Sequence, residues 1–189
     1  MTSTIAYFGY GSLVNLGSLR TPYISAHRAT LRGWKRAWLA RPRVEGSFAP
    51  TDGLAFLSVV PSPESQIDGL IITDHASSLP ALDEREVLYT RVNIDAKDLS
   101  YHDEPADISA QFLYEADQPL AADGAEILRS YLDVVMQGYL HHFGEAGLHR
   151  FMDTTLNFEC AIREDRGNPV YPRATTLSAD EKAVFATLR

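Results

Sequence analysis

A single cysteine, Cys160, occurs in 189 residues, so no intrachain disulfide can form. That scarcity suits a reducing compartment, and the cytoplasm is the expected location. No apolar run approaches the roughly 20 residues that cross a bilayer as a helix, so no membrane association is expected. The N-terminus, Met-Thr-Ser-Thr-Ile-Ala-Tyr-Phe, lacks the basic start and long apolar stretch of a secretory leader. Positive charge is scarce as well: 17 Lys and Arg stand against 25 Asp and Glu, a net charge of −8. Such an excess repels phosphate backbones, so nucleic acid is not an expected partner. Internal repeats and low-complexity tracts are missing. What remains is ordinary material for a packed core, 45% hydrophobic and 22% charged, in a length that fits one domain. Nothing in the sequence specifies an oligomeric state.

The pattern of elements is strand-rich first and helical late. Thr4 to Phe8 reads as a strand that runs into the turn Tyr10-Gly11-Ser12-Leu13. Ala26 to Leu39 reads as one or two strands with a bend at Gly33, and Arg41 to Asp52 as a loop. Gly53 to Val60 and Gln66 to Ile72 are apolar runs separated by Pro61-Ser62-Pro63, which predicts a hairpin between them. Ser77-Ser78 offers an N-cap for a short helix from Leu79 to about Leu88. Tyr89 to Ile94 and Ser109 to Tyr114 read as strands. Asp123-Gly124-Ala125-Glu126 fits a capping box ahead of a helix whose apolar positions recur from Ala125 to Phe143, with Gly144 as its stop. Asn157 to Ile162 reads as a strand. Ser178 and Glu181 form a second capping box for a terminal helix. Strands followed by helices, rather than alternating with them, predict an α+β fold.

Two places carry candidate chemistry. The first is Tyr7-Phe8-Gly9-Tyr10-Gly11-Ser12-Leu13, where a strand ends in Gly-x-Gly and a small hydroxyl residue. Successive N–H groups in such a turn form an anion-binding concavity. A plain strand–turn is the alternative on pattern alone. A dinucleotide fingerprint is excluded: position 14 is Val14 instead of a third glycine, and the next acid is Glu45. The second place is Leu79 to Tyr89. At about 100° per residue, Leu79, Leu82, Glu86 and Tyr89 share one helix face. Glu86 then sits among core-facing residues, where a carboxylate loses hydration and its pKa rises toward the range of acid–base catalysis. The alternative is a helix-end Glu that reaches solvent or pairs with Arg85 or Arg91.

Other constellations point elsewhere. His141, His142 and His149 suggest a metal only weakly, since adjacent helical residues point about 100° apart. Cys160 reads as a buried structural thiol rather than a nucleophile. Ser12 lacks the Gly-x-Ser-x-Gly elbow of a serine hydrolase. Asp103, Glu104 and Asp107 are spaced like a solvated acidic loop.

Tyr10-Gly11-Ser12-Leu13, followed by Leu82-Asp83-Glu84-Arg85-Glu86-Val87-Leu88-Tyr89, resembles the γ-glutamylcyclotransferase superfamily, with its AIG2-like and ChaC-like members. The resemblance extends through Asp52 to Phe56, Gln66 to Ile72, Gln111 to Tyr114 and the helix beyond, covering positions 4 to about 150. It implies a small, mixed, barrel-like sheet with flanking helices. It implies an enzyme that releases 5-oxoproline from a small-molecule γ-glutamyl amino acid, peptide or amine, with neither cofactor nor metal. In site terms it implies Glu86 as the catalytic acid–base group. It implies Tyr10, Gly11, Ser12 and Leu13 as the backbone cradle for the γ-glutamyl group, with Tyr89 and Tyr114 lining the pocket. A non-catalytic binding or regulatory module on the same fold is the competing expectation. The chain departs from the family pattern in two ways. Val87 stands where many members have Gly, and His149 to Arg173 has no counterpart in the shorter members. Residues from about 150 to 189 therefore read as a C-terminal elaboration of a single domain spanning 1–189.

Overall fold

A computed structural model describes residues 3–20, 22–40, 53–101 and 108–188. The α+β class is as expected, with a mixed sheet of eight strands and three α-helices among the described residues. Strand β1 (Thr4–Gly9) is buried on both faces from Ile5 through Phe8 and runs between two neighbouring strands. It pairs antiparallel with the last part of β3 (Leu54–His75) and parallel with β6 (Ile108–Ala116). Beyond β6 lies β4 (Tyr89–Asn93). On the other side, β2 (Ser25–Ala40) pairs with β3, and β5 (Leu99–Tyr101) pairs with β2.

The hairpin expected across Pro61-Ser62-Pro63 does not form. The chain runs on as one strand of 22 residues whose partner throughout is β2. The register passes from Trp34 opposite Pro61 to Arg32 opposite Gln66, so residues 62–65 bulge out opposite Gly33. A bulge is one of the few places in a sheet that tolerates proline, which has no N–H for the ladder. Gly33 takes φ 84° there, a conformation that costs glycine little. The Ser62 and Ser65 hydroxyls close the bulge at 2.8 Å. The expected loop at Arg41 to Asp52 and the acidic loop with Asp103, Glu104 and Asp107 lie outside the described residues.

The main helix also starts later than its expected capping box. Glu126–Leu128 is a short strand, β7, parallel to β3, and Glu126 binds Arg163 at 2.7 Å rather than capping a helix. Helix α2 (Arg129–Asp153) receives its cap from a distant residue: the Ser130 amide donates to Asp165 at 2.7 Å. Residues 130–139 are buried on every side, so α2 is a central element. Gly144, at φ 66° and ψ −174°, interrupts it where the sequence predicts a stop. The expected strand at Asn157 to Ile162 is a turn at its start, with Cys160 N–H donating to the Asn157 carbonyl at 3.2 Å. Only Ala161–Arg163, strand β8, is extended, and Cys160 is half-buried. The terminal helix α3 (Ala179–Leu188) carries its capping box: Glu181 N–H donates to Ser178 Oγ at 3.1 Å, and Ser178 N–H donates to Glu181 at 2.7 Å.

Helix α2 meets the turn after β1 backbone to backbone. A Cβ on Gly138 would lie 2.7 Å from Asn15 N and 2.8 Å from Val14 C. Asn15 fastens the contact by donating to the Val134 carbonyl at 3.0 Å and to Gln137 Oε1 at 2.8 Å. Neither backbone has room to yield, so Gly138→Ala is expected to destabilise the protein by about 1–3 kcal/mol, the usual cost of overpacking. Urea denaturation measures this, and an unchanged midpoint would show that helix and turn separate without cost.

Candidate active site

The turn after β1 is a single 3-10 turn, Ser12–Val14, closed by Val14 N–H donating to the Gly11 carbonyl at 3.0 Å. The first N–H groups of a helical turn have no partner within it, and those of Ser12 and Leu13 are in that position here. The backbone at Gly11 has φ −120°, so a left-handed conformation is not what calls for glycine there. Space is the reason: a Cβ would stand 3.3 Å from the Tyr131 hydroxyl and 3.4 Å from Leu57 Cδ2.

Helix α1 (Leu79–Arg85) ends one residue before Glu86, earlier than the periodicity implies. Glu86 is its C-cap at φ −96° and ψ 31°, and its carbonyl accepts from Tyr89 N–H at 2.9 Å. Leu88 turns the chain with φ 78° and leads into β4. Glu86 thus reaches the site through a turn, not as part of a helical face. Its surroundings differ from the apolar setting expected. Arg85 Nε donates to Glu86 Oε1 at 2.9 Å, and the two side chains are only 10% and 15% exposed. Of the two alternatives read from the sequence, Arg85 is the partner. Arg91 pairs instead with Asp83 at 3.2 Å. The Arg85 guanidinium also donates to the Ser18 carbonyl at 2.9 Å, and Ser18 Oγ donates to the Ser12 carbonyl at 2.8 Å. Expected catalyst and expected cradle are thereby joined by one polar chain.

Tyr10, Gly11, Ser12, Leu13, Glu86, Tyr89 and Tyr114 border one cavity. Every residue singled out from the sequence is present. Leu57 and Tyr131 complete the wall, and nothing in the sequence marks them. Tyr131 lies on α2 in a segment buried all round, so its apolar neighbours give no sign that its hydroxyl meets a cavity. The Tyr10 hydroxyl donates to the Tyr114 carbonyl, Tyr89 to the Leu57 carbonyl at 2.9 Å, and Tyr114 to Asp83 at 2.6 Å. Tyr131 is 9% exposed and its hydroxyl makes no hydrogen bond with the described residues. Burial, aided by the neighbouring Tyr89, raises the Tyr10 and Tyr131 phenols well above the usual range. Burial and then Asp83 do the same for Tyr114. All three are therefore neutral O–H donors at neutral pH.

The histidines do not meet here. His141 binds Glu181 at 2.7 Å, and among the described residues no three His, Cys, Asp or Glu gather as metal ligands. Replacing Arg85 with Met removes the partner of a mostly buried carboxylate. Arg85→Met is expected to lower stability by on the order of 3 kcal/mol, read from chemical denaturation. A loss below about 0.5 kcal/mol, typical of an exposed pair, would show the ion pair to be a surface feature.

No protein-family model matches the sequence, and no curated protein matches it significantly. Solved structures do resemble it. One titled a gamma-glutamyl cyclotransferase aligns over 98% of this chain and 99% of its own, with a TM-score of 0.58 and 14% identity. YkqA from Bacillus subtilis gives a TM-score of 0.60 at 14% identity over 79% of this chain, which spans only 53% of that one. An uncharacterized protein from Homo sapiens gives 0.53 at 17% identity, over 97% of this chain and 99% of its own. No helix among the described residues is long and apolar enough to cross a membrane. The superfamily resemblance drawn from the sequence holds at the level of the fold: the chain has the fold of the structure titled a gamma-glutamyl cyclotransferase.

Proposed function

We propose that the protein is a γ-glutamyl cyclotransferase that releases 5-oxoproline from a small γ-glutamyl compound. The observation that carries this reading is that Ser12, Leu13, Glu86 and Tyr131 line one small cavity. In the reaction the substrate's α-amine attacks its own γ-carbonyl carbon. The new C–N bond closes a five-membered ring, the old amide C–N bond breaks, and the leaving amine takes up a proton. Nucleophile and electrophile belong to one molecule, so holding the chain folded supplies much of the rate. The protein has three tasks left.

Glu86 takes the proton that the α-ammonium must lose and returns one to the leaving nitrogen. Arg85 keeps its carboxylate in place. The Ser12 and Leu13 N–H groups hold an anion, either the α-carboxylate or the oxyanion of the tetrahedral intermediate. The Tyr131 hydroxyl, neutral and without a partner among the described residues, supplies a further donor beside Gly11. None of these steps needs an activated water or a redox centre. The reaction suits a soluble cytoplasmic enzyme acting on small metabolites.

Glu86→Gln keeps the shape of the side chain and abolishes proton transfer, so turnover should fall about 10²–10⁴-fold, followed as 5-oxoproline release from γ-glutamyl-alanine. Turnover near that of the parent would remove Glu86 from the mechanism. A parent protein that binds γ-glutamyl-alanine without releasing 5-oxoproline would instead favour a binding module. Gly11→Ala pushes a methyl toward Tyr131 and Leu57, whereas Ser12→Ala leaves the backbone donors intact. Calorimetric titration with 5-oxoproline should show a loss of about tenfold or more for Gly11→Ala, the effect of 1.4 kcal/mol, and a smaller one for Ser12→Ala. Equal affinity of Gly11→Ala and parent would place the anion elsewhere. Activity should also survive exhaustive chelation; loss on chelation and recovery with one added metal would overturn the metal-free mechanism.

A further inference from the structure

A second cavity opens beside the first and shares Ser12, Glu86, Tyr89 and Tyr131 with it. It is the roomier of the two, about 360 Å³ against about 30 Å³. The walls it adds are largely apolar: Phe56 from β3, Leu128 at the end of β7, and Val170 and Tyr171 from the C-terminal region. This wall is fastened in place. Asp165 accepts from both Ser130 N–H and Val170 N–H, at 2.7 and 2.9 Å. Tyr171 N–H donates to Ser130 Oγ at 3.3 Å, and its ring lies 4.9 Å from that of Tyr131. Arg20 donates to the Pro172 carbonyl at 2.8 Å.

Three charged side chains border this cavity besides Glu86. Arg85 is spent on Glu86 and Ser18. Glu84 is exposed to solvent. Arg173 is partly buried, and it has no carboxylate partner among the described residues. A partly buried guanidinium without a carboxylate beside apolar walls is a site for an anion attached to an apolar body.

From this arrangement we infer that the second cavity receives the leaving group, and that the preferred leaving group is an α-amino acid with a large apolar side chain. Its side chain packs against Phe56, Leu128 and Tyr171, and its carboxylate pairs with Arg173. This rests on the cyclotransferase reading. When the γ-carbonyl carbon lies beside Glu86 and Tyr131, whatever hangs from the amide nitrogen extends across the residues the two cavities share.

The test is release of 5-oxoproline from γ-glutamyl-phenylalanine, γ-glutamyl-glycine, γ-glutamyl-phenethylamine and glutathione. The expected kcat/KM is highest for the phenylalanine compound, by about tenfold or more over each of the others, the scale on which pockets discriminate apolar groups. Arg173→Gln should abolish the advantage of phenylalanine over phenethylamine, and Arg173→Lys should restore part of it, with folding followed by thermal melting. Comparable rates for all four, or a preference for glutathione or glycine, would overturn the inference while leaving the cyclotransferase reading standing. Release from γ-glutamyl-alanine but from none of the four would also overturn the inference alone, and release from none of the five would overturn both. The comparison of substrates needs no variant, so a substitution that fails to fold does not spoil it.

Discussion

The backbone contact between helix α2 and the turn after β1 is the constraint on which the site depends. At Gly138 the helix carries no side chain, and the main chain of Val14 and Asn15 occupies the space. Asn15 holds that position through Val134 and Gln137. One helical residue on, the Tyr139 hydroxyl lies 2.9 Å from the Tyr10 carbonyl and 2.8 Å from that of Asp68, sharing its proton between them. Burial pushes that phenol up to about 12, so the proton stays. The turn is therefore gripped at both ends by adjacent residues of one helix. The turn owes its position to that grip rather than to any flexibility of glycine.

Behind Tyr139 lies Arg36, almost wholly buried. A buried guanidinium is costly unless its donors are satisfied. Here they reach the Asp68 carbonyl at 2.8 Å, Thr154 at 2.8 Å, Thr155 at 3.2 Å and the Tyr139 hydroxyl at 3.0 Å. Its plane also lies over Tyr139 and Phe151, at 5.3 and 5.1 Å from the ring centres. This cluster joins β2, the bulged β3 and the far end of α2 behind the turn. On the cavity side, the chain from Glu86 through Arg85 and Ser18 to Ser12 ties the carboxylate to the same turn. The two halves of the site come from segments about 70 residues apart in sequence, yet they share one polar network, the arrangement that preorganised catalysis requires.

How much of this was legible depends on how local the cause is. The turn at Gly9 to Leu13 announces itself because close approach dictates its glycines. The capping box at Ser178 and Glu181 is equally local and forms as read. Asp123 to Glu126 has the same letters, but Glu126 has a stronger partner in Arg163, a choice that is invisible without the tertiary structure. Pro61 and Pro63 read as a break because proline usually ends strands; pairing with β2 and the bulge opposite Gly33 override that rule. Glu86 was singled out on a helical periodicity that stops one residue too soon, and the turn at Leu88 brings it to the cavity by another route. Tyr131 and Arg173 carried no signal, since their significance lies in what faces them.

The central claim is that the Ser12–Leu13 amides and the Glu86 carboxylate address one ligand. A crystal structure with a slowly reacting γ-glutamyl analogue, its α-amine replaced by a less nucleophilic hydroxyl, tests this directly. An analogue anion or its γ-carbonyl oxygen is expected within hydrogen-bond distance of Ser12 N–H or Leu13 N–H, with the hydroxyl within reach of a Glu86 oxygen. An analogue bound away from the turn, or with its hydroxyl out of reach of Glu86, would contradict it.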